Sequence, residues 1–128
     1  MAGFSPNVGD AYIAGLIVGQ SLELRLFTNT SVSGTDTYGT LTQPTGGGYG
    51  PIALTSGNWT GSTGTRTYNA VQSFVVSGTN YNTTVKGYFI CVAGTHEVIA
   101  IEADANLGSG VQFNVGSSYD ITPTLTVN

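Results

Sequence analysis

At 128 residues the chain fits one domain, and roughly two-thirds of its unfolded surface can be buried at that size, so a core needs no staples. Only 8 % of its residues are charged, the net charge is −4, and the three basic side chains are Arg25, Arg66 and Lys86, which argues against nucleic acid and against an anionic membrane as partners. The lone cysteine, Cys91, rules out an internal disulfide framework and has no companions for zinc, so it is read as a small buried hydrophobe.

Residues 1–7 carry no charge and one large apolar anchor, Phe4, and read as an arm mobile in the free protein and available to a partner. From Asn7 to Gly19 the pattern is helical. Asn7 is the expected N-cap, Asp10 falls in the first turn where the dipole favours an acid, and Gly19 ends the helix. Val8, Tyr12 or Ile13, Leu16 and Ile17 recur at helical spacing, although Gly9 and Gly15 weaken the element. A short helix plugging one end of a sandwich is expected. The apolar run 11–18 follows an acid and is too short for a membrane span, so it is read as neither a signal peptide nor a transmembrane helix.

Residues 21–28 alternate, with Leu22, Leu24 and Leu26 facing one way and Glu23, Arg25 and Phe27 the other, a half-buried strand. The polar passage 29–48 has Tyr38, Leu41 and Pro44 as its larger apolar residues. A loop this long is expected to be functional or ordered by a partner. Residues 45–50, TGGGYG, lack the lysine and helix of a phosphate loop and read as a flexible entry to a strand. That strand, 49–56, is confined to an edge by Pro51. Residues 66–77 read as one long strand with Tyr68, Ala70, Gln72, Phe74 and Val76 on one face, and 78–83 as a turn with Tyr81 at its tip.

Two apolar runs, 85–92 and 98–103, flank a Gly-containing turn and read as a β-hairpin at the middle of the fold, because both are apolar on both faces. A short strand at 111–115 and a final strand at 119–128 complete the pattern. Pro123 should put the last strand at an edge, or make it bulge. The fold class is all-β: an antiparallel β-sandwich of about seven or eight strands, jelly-roll or immunoglobulin-like, with one short N-terminal helix. Residues 1–20 form the arm and helix, and 21–128 the sandwich.

Chemistry is sparse. His96 is the sole histidine and is expected as an exposed turn residue, without a nucleophile elbow to serve. Glu102 and Asp104 read as solvated acids near a strand end rather than a glycosidase pair. Asp36, Asp104 and Asp120 lack calcium-loop spacing. No enzyme activity, metal or cofactor is expected. The candidate contact residues are aromatic: Phe4, Tyr38, Tyr49, Trp59 and Tyr81, which could anchor a protein interface or stack on sugars.

Six stretches in order, LELRLFTNT, GYGPIALTSGNWT, YNAVQSF, TVKGYFICV, IAIEAD and YDITPTLTVN, resemble a family of small virion proteins of tailed bacteriophages, cyanophages among them. The resemblance implies a β-sandwich capsid cement, or decoration, protein on the outside of the virion. Its partners would be the HK97-type major capsid protein and copies of itself, expected as a homotrimer. The alternative is a host-recognition or carbohydrate-binding module of a tail or head fibre.

Overall fold

The computed structural model describes residues 7–127; the expectations placed on residues 1–6, Phe4 among them, lie outside that range. One helix, α1 (Asn7–Val18), precedes nine strands: β1 (Leu22–Phe27), β2 (Ile52–Leu54), β3 (Trp59–Thr60), β4 (Thr65–Tyr68), β5 (Gln72–Val75), β6 (Gly87–Val92), β7 (Val98–Ala103), β8 (Ser118–Ile121) and β9 (Thr124–Thr126). The strand pairs are antiparallel, and the fold is sandwich-like and all-β apart from α1.

One layer is a four-stranded sheet in the order β2-β1-β6-β7. β1 lies inside it because it alternates so regularly: Leu22, Leu24 and Leu26 are all buried on one face, and burying each such side chain contributes roughly 1.5–3 kcal/mol. β6 is interior, as its two apolar faces demand. β7 is not. It forms the edge of the sheet, and Val98, Ile99, Ala100 and Ile101 are only half-buried, packed against the two clusters but with no strand beyond them.

The second layer is a long ribbon bent in the middle. Residues 65–75 pair with 118–126, but as two ladders: Thr67 pairs with Thr124 and Gln72 with Ile121, so four residues (68–71) face two (122–123). The single strands expected at 66–77 and 119–128 are therefore each broken, and at the same level. Pro123 has no N–H to continue the ladder, and its carbonyl instead accepts from the Tyr68 N–H at 2.9 Å. The facing alternation holds on either side of the break, where Tyr68, Phe74, Val76, Tyr119, Ile121 and Leu125 are buried, but not within it: Ala70, expected on the inner face, is exposed and Gln72 is half-buried. The strand expected at 111–115 is reduced to one bridge between Val85 and Val111.

The core lies between the layers, where the β1 leucines meet Leu54, Ile90, Phe74, Tyr119 and Ile121. A smaller cluster sits on the opposite face of the four-stranded sheet, where Phe27, Phe89 and Cys91 are covered by Val32, Tyr38 and Leu41 of the long loop. That loop is ordered by the chain itself. Thr28 N–H donates to Thr42 O at 2.8 Å, and Thr42 N–H to Asn29 Oδ1 at 2.7 Å. Asp36 accepts from Ser33 N–H and from Thr40 Oγ1. The loop thus serves as the second cover of the sheet.

α1 closes one end of the sandwich. Arg66, two residues from Tyr68 and so on the same face of β4, reaches under the helix and donates from Nη2 to Ala11 O at 2.9 Å. Asp10 falls in the first turn, and Gly19 N–H donates to Gly15 O as the helix stops. The orientation about its axis departs from expectation. Val8, Tyr12, Ile13 and Leu16 face solvent, while Asp10, Ala14 and Val18 face the body. The Arg66 guanidinium packs against the helix at ordinary contact distance, 3.5 Å from where a Cβ at Gly15 would sit, and Ile17 packs with Val18 on the body side.

Candidate functional site

The densest group of charged and reactive side chains lies on the outer face of the four-stranded sheet, under the long loop. Period two puts Glu23 and Arg25 on that face of β1 beside Cys91 and Phe89 of β6. Arg25 donates to Glu23 Oε1 from Nη2 at 3.1 Å and from Nε at 3.3 Å, and to Gln43 Oε1 from Nη1 at 3.2 Å. Its guanidinium lies 5.2 Å from the centre of the Tyr38 ring, a cation–π contact. Tyr38 in turn stacks on His96 with ring centres 4.4 Å apart. His96 Nε2 and Cys91 Sγ both come within 3.8 Å of the same Glu23 oxygen.

This cluster holds cysteine, histidine and carboxylate together, yet its chemistry is that of a tie. A nucleophilic cysteine needs a depressed pKa and access. Cys91 is fully buried, and burial first, with Glu23 beside it, pushes its thiol up despite Arg25. The Arg25 guanidinium loses hydration by burial, but the hydrogen bond and charge of Glu23 outweigh that and raise its pKa. His96 is half-buried under Tyr38 with φ +61, rather than an exposed turn residue. The backbone turn from Gly94 and the stacked ring hold it there.

Of the aromatic candidates among the described residues, Tyr49 and Tyr81 meet, inside the core, and Tyr38 and Trp59 lie apart from them. Tyr38 caps the cluster just described. Tyr49 packs its ring on Phe74 and Tyr81; its hydroxyl donates to Gln43 Oε1 at 2.6 Å and accepts the Leu26 N–H at 2.9 Å, while burial above all pushes its pKa up. Tyr81 is turned inward and fully buried instead of standing at a turn tip, because residues 45–49 fold over it. Trp59 is half-buried edge-on to Tyr68, with ring centres 5.3 Å apart. Among the described residues these side chains form no shared exposed platform. Glu102 is exposed, but Asp104 accepts from the Tyr119 hydroxyl and from the Asn106 N–H, so its carboxylate is a structural acceptor.

The three cations are spent internally. Arg25 is held as above, Arg66 bonds Thr63 O and Ala11 O, and Lys86 Nζ bonds Ser109 O. What the surface offers instead is apolar. Val8, Tyr12, Ile13 and Leu16 line the outer side of α1, and Val71, Val75 and Val115 lie exposed around β5 and the turn before β8. Sequence reasoning singled out none of these as contact residues. The signal for the first group was present: apart from Asp10, α1 is apolar or glycine all round except for its first residue, and such a helix is covered on every side.

Among the described residues no group of three or more His, Cys, Asp or Glu side chains is placed to hold a metal ion, and no helix is long and apolar enough to cross a membrane. No protein-family model, no curated protein and no solved structure matches the chain.

Proposed function

We propose that the protein is a structural component of a tailed-phage particle, a cement protein that binds the outer shell and ties neighbouring capsid subunits together. The observation that carries this reading is the character of the exposed surface: apolar faces on α1 and β5, in a chain whose cations are all engaged internally. Static, uncharged contacts of this kind suit a permanent assembly, where steering by charge is unnecessary. The resemblance of six ordered stretches to virion cement proteins points the same way. The fibre or carbohydrate-binding alternative draws on the aromatic residues, and their scattered, inward placement gives it less support.

The test uses particles of the phage that encodes the chain. A cement protein is present at a copy number comparable with that of the shell subunit, and particles lacking it lose heat resistance that added protein restores. Presence at a few copies per particle, or glycan binding abolished by Trp59→Ala, would overturn the proposal in favour of a fibre module.

A further inference from the structure

β7 is the longest of the edge strands, six residues against three in β2 at the other side of the same sheet. Natural edges are often blunted by proline or lysine; β2 follows Pro51, whereas β7 contains neither. One side of β7 is paired with β6. Among the described residues, no backbone group of 98–103 bonds to another backbone group outside that ladder, so the other side presents a row of free N–H and C=O groups. Val98 and Ile101 pack on the outer cluster, Ile99 and Ala100 on the main core. The change of face comes with one extra residue, where Ile90 pairs with Ala100 and Cys91 with Val98. All four border a single hollow of about 340 Å³, together with Val32 and Asp36 of the long loop. A hollow touched by residues of both faces runs along the edge of the strand.

The charge around this edge is of one sign. Glu97 and Glu102 are exposed at its two ends, about 16 Å apart at the rise of an extended strand. Glu97 also shares a second hollow, of about 390 Å³, with Asp36. Asp36 is bonded to neutral donors, Ser33 N–H and Thr40 Oγ1, and among the described residues none of the three acids is in an ion pair. His96 borders the second hollow too, but its Nε2 lies toward Glu23. The chain has no cation to spare for them, since Arg25, Arg66 and Lys86 are all held internally. A second copy is also a poor occupant. Two β7 strands paired antiparallel about a two-fold axis between Ile99 and Ala100 would set Glu97 of each opposite Glu102 of the other, and like charges directly opposite are destabilising.

We propose that the β7 edge takes up an extended, positively charged segment of another protein as an added strand. Backbone pairing along 98–103 supplies the affinity, and the flanking charges supply the choice of partner. Lys or Arg near one end of the segment meets Asp36 and Glu97, and Lys or Arg near the other meets Glu102. Between them the segment carries aliphatic or threonine side chains, which suit a pleated strand and fill the hollow beside Val32. The same three carboxylates repel an acidic segment, so the edge discriminates by sign as well as by shape. The surface involves neither α1 nor β5, whose apolar faces carry the cement proposal. It goes beyond that reading and stands or falls without it.

The test uses the full chain, labelled for NMR, and a synthetic peptide with blocked ends, Lys-Val-Thr-Val-Thr-Val-Lys. At about 0.01 M salt the peptide should bind with a Kd between about 10 μM and about 1 mM, the range of a small interface. At saturation it should slow exchange of the outward amides of 98–103 at least about tenfold. Two altered peptides should each bind at least about tenfold more weakly: one with glutamate at both ends, and one N-methylated at two adjacent central residues, so that neither of its edges can pair fully. Glu97→Gln combined with Glu102→Gln, both exposed and so near-neutral for the fold, should weaken the lysine peptide about fivefold to tenfold. That difference should close at about 1 M salt, where the screening length falls from about 30 Å to about 3 Å. No binding below about 1 mM, equal binding of the N-methylated peptide, indifference to the glutamine pair, or protection elsewhere than β7 would each overturn the proposal. So would a dimer of the chain alone with 98–103 protected, which would give the edge to a second copy. None of these results bears on the copy number per particle that decides the cement reading.

Discussion

Gly47→Ala is the substitution that bears most directly on how the glycine-rich stretch works. Gly47 has φ +61, and a Cβ there would stand 2.5 Å from Tyr81 Cδ1, 2.7 Å from Cε1 and 2.9 Å from Val76 Cγ1. Two costs add. A left-handed backbone with a side chain costs roughly 1–2 kcal/mol, and forcing a methyl into a packed core about 1–3 kcal/mol more. Gly78 is the control, with φ +76 and no atom within 4 Å of its would-be Cβ, so Gly78→Ala carries the backbone cost alone. Urea unfolding followed by tryptophan fluorescence should show Gly47→Ala losing about 2–5 kcal/mol and Gly78→Ala about 1–2 kcal/mol. Equal losses for the two would refute the claim that residues 45–49 are clamped over Tyr81, and would return the stretch to the flexible loop that its composition suggests.

Cys91 should resist thiol reagents in the native protein at pH 8 and react at once in denaturant; fast native labelling would contradict its burial and raised pKa. Tyr49, Tyr81, Tyr88 and Tyr119 all have pKa values pushed up, chiefly by burial. Their contribution to stability is therefore complete below about pH 10 and is lost as pH rises beyond it. Absorbance at 295 nm should show these tyrosines ionising together with unfolding, and a gradual titration of the intact fold would contradict this. Arg66→Met removes the donor to Ala11 O and should cost about 1–3 kcal/mol, with the 222 nm helix signal lost before the sheet; a single coincident transition at the wild-type midpoint would show the bond to be idle. If the proposed cement role holds, attachment to particles should persist at about 1 M salt, where the screening length is about 3 Å; release by salt would point to ion pairs instead.

The sandwich was legible because period two is so regular in β1 and in the ribbon outside its bend, where Phe74 and Val76 and the series from Tyr119 to Leu125 are buried in alternation. The break within each ribbon strand was half legible. Pro123 announces a lost donor, but nothing local says that residues 68–71 must open opposite it. β7 misled for a different reason: an apolar strand at an edge looks like an apolar strand at the centre until neighbours are counted. The long loop hid its role because Val32, Tyr38 and Leu41 are spaced irregularly, and their common target, the second face of β6, comes from far along the chain. Tyr81 looked like a turn tip because the glycines that fold over it are more than thirty residues away.

The orientation of α1 was the least legible feature, and its fastening ties the charge economy to the exposed surface. Spacing alone puts Val8, Tyr12 and Leu16 on one side and says nothing of which side is inward. Arg66 fastens the helix by donating to its backbone at Ala11 O, and Asp10, Ala14 and Val18 are the residues turned to the body. In a chain with three basic residues, using one to fasten the helix leaves fewer groups for an acidic partner. Arg25 and Lys86 follow the same logic, each bonded to an acceptor of its own chain. Positive charge here is an internal fastening, and the surface is left to valines, the outer side of the helix, hydroxyls, amides and a few exposed acids such as Glu97 and Glu102.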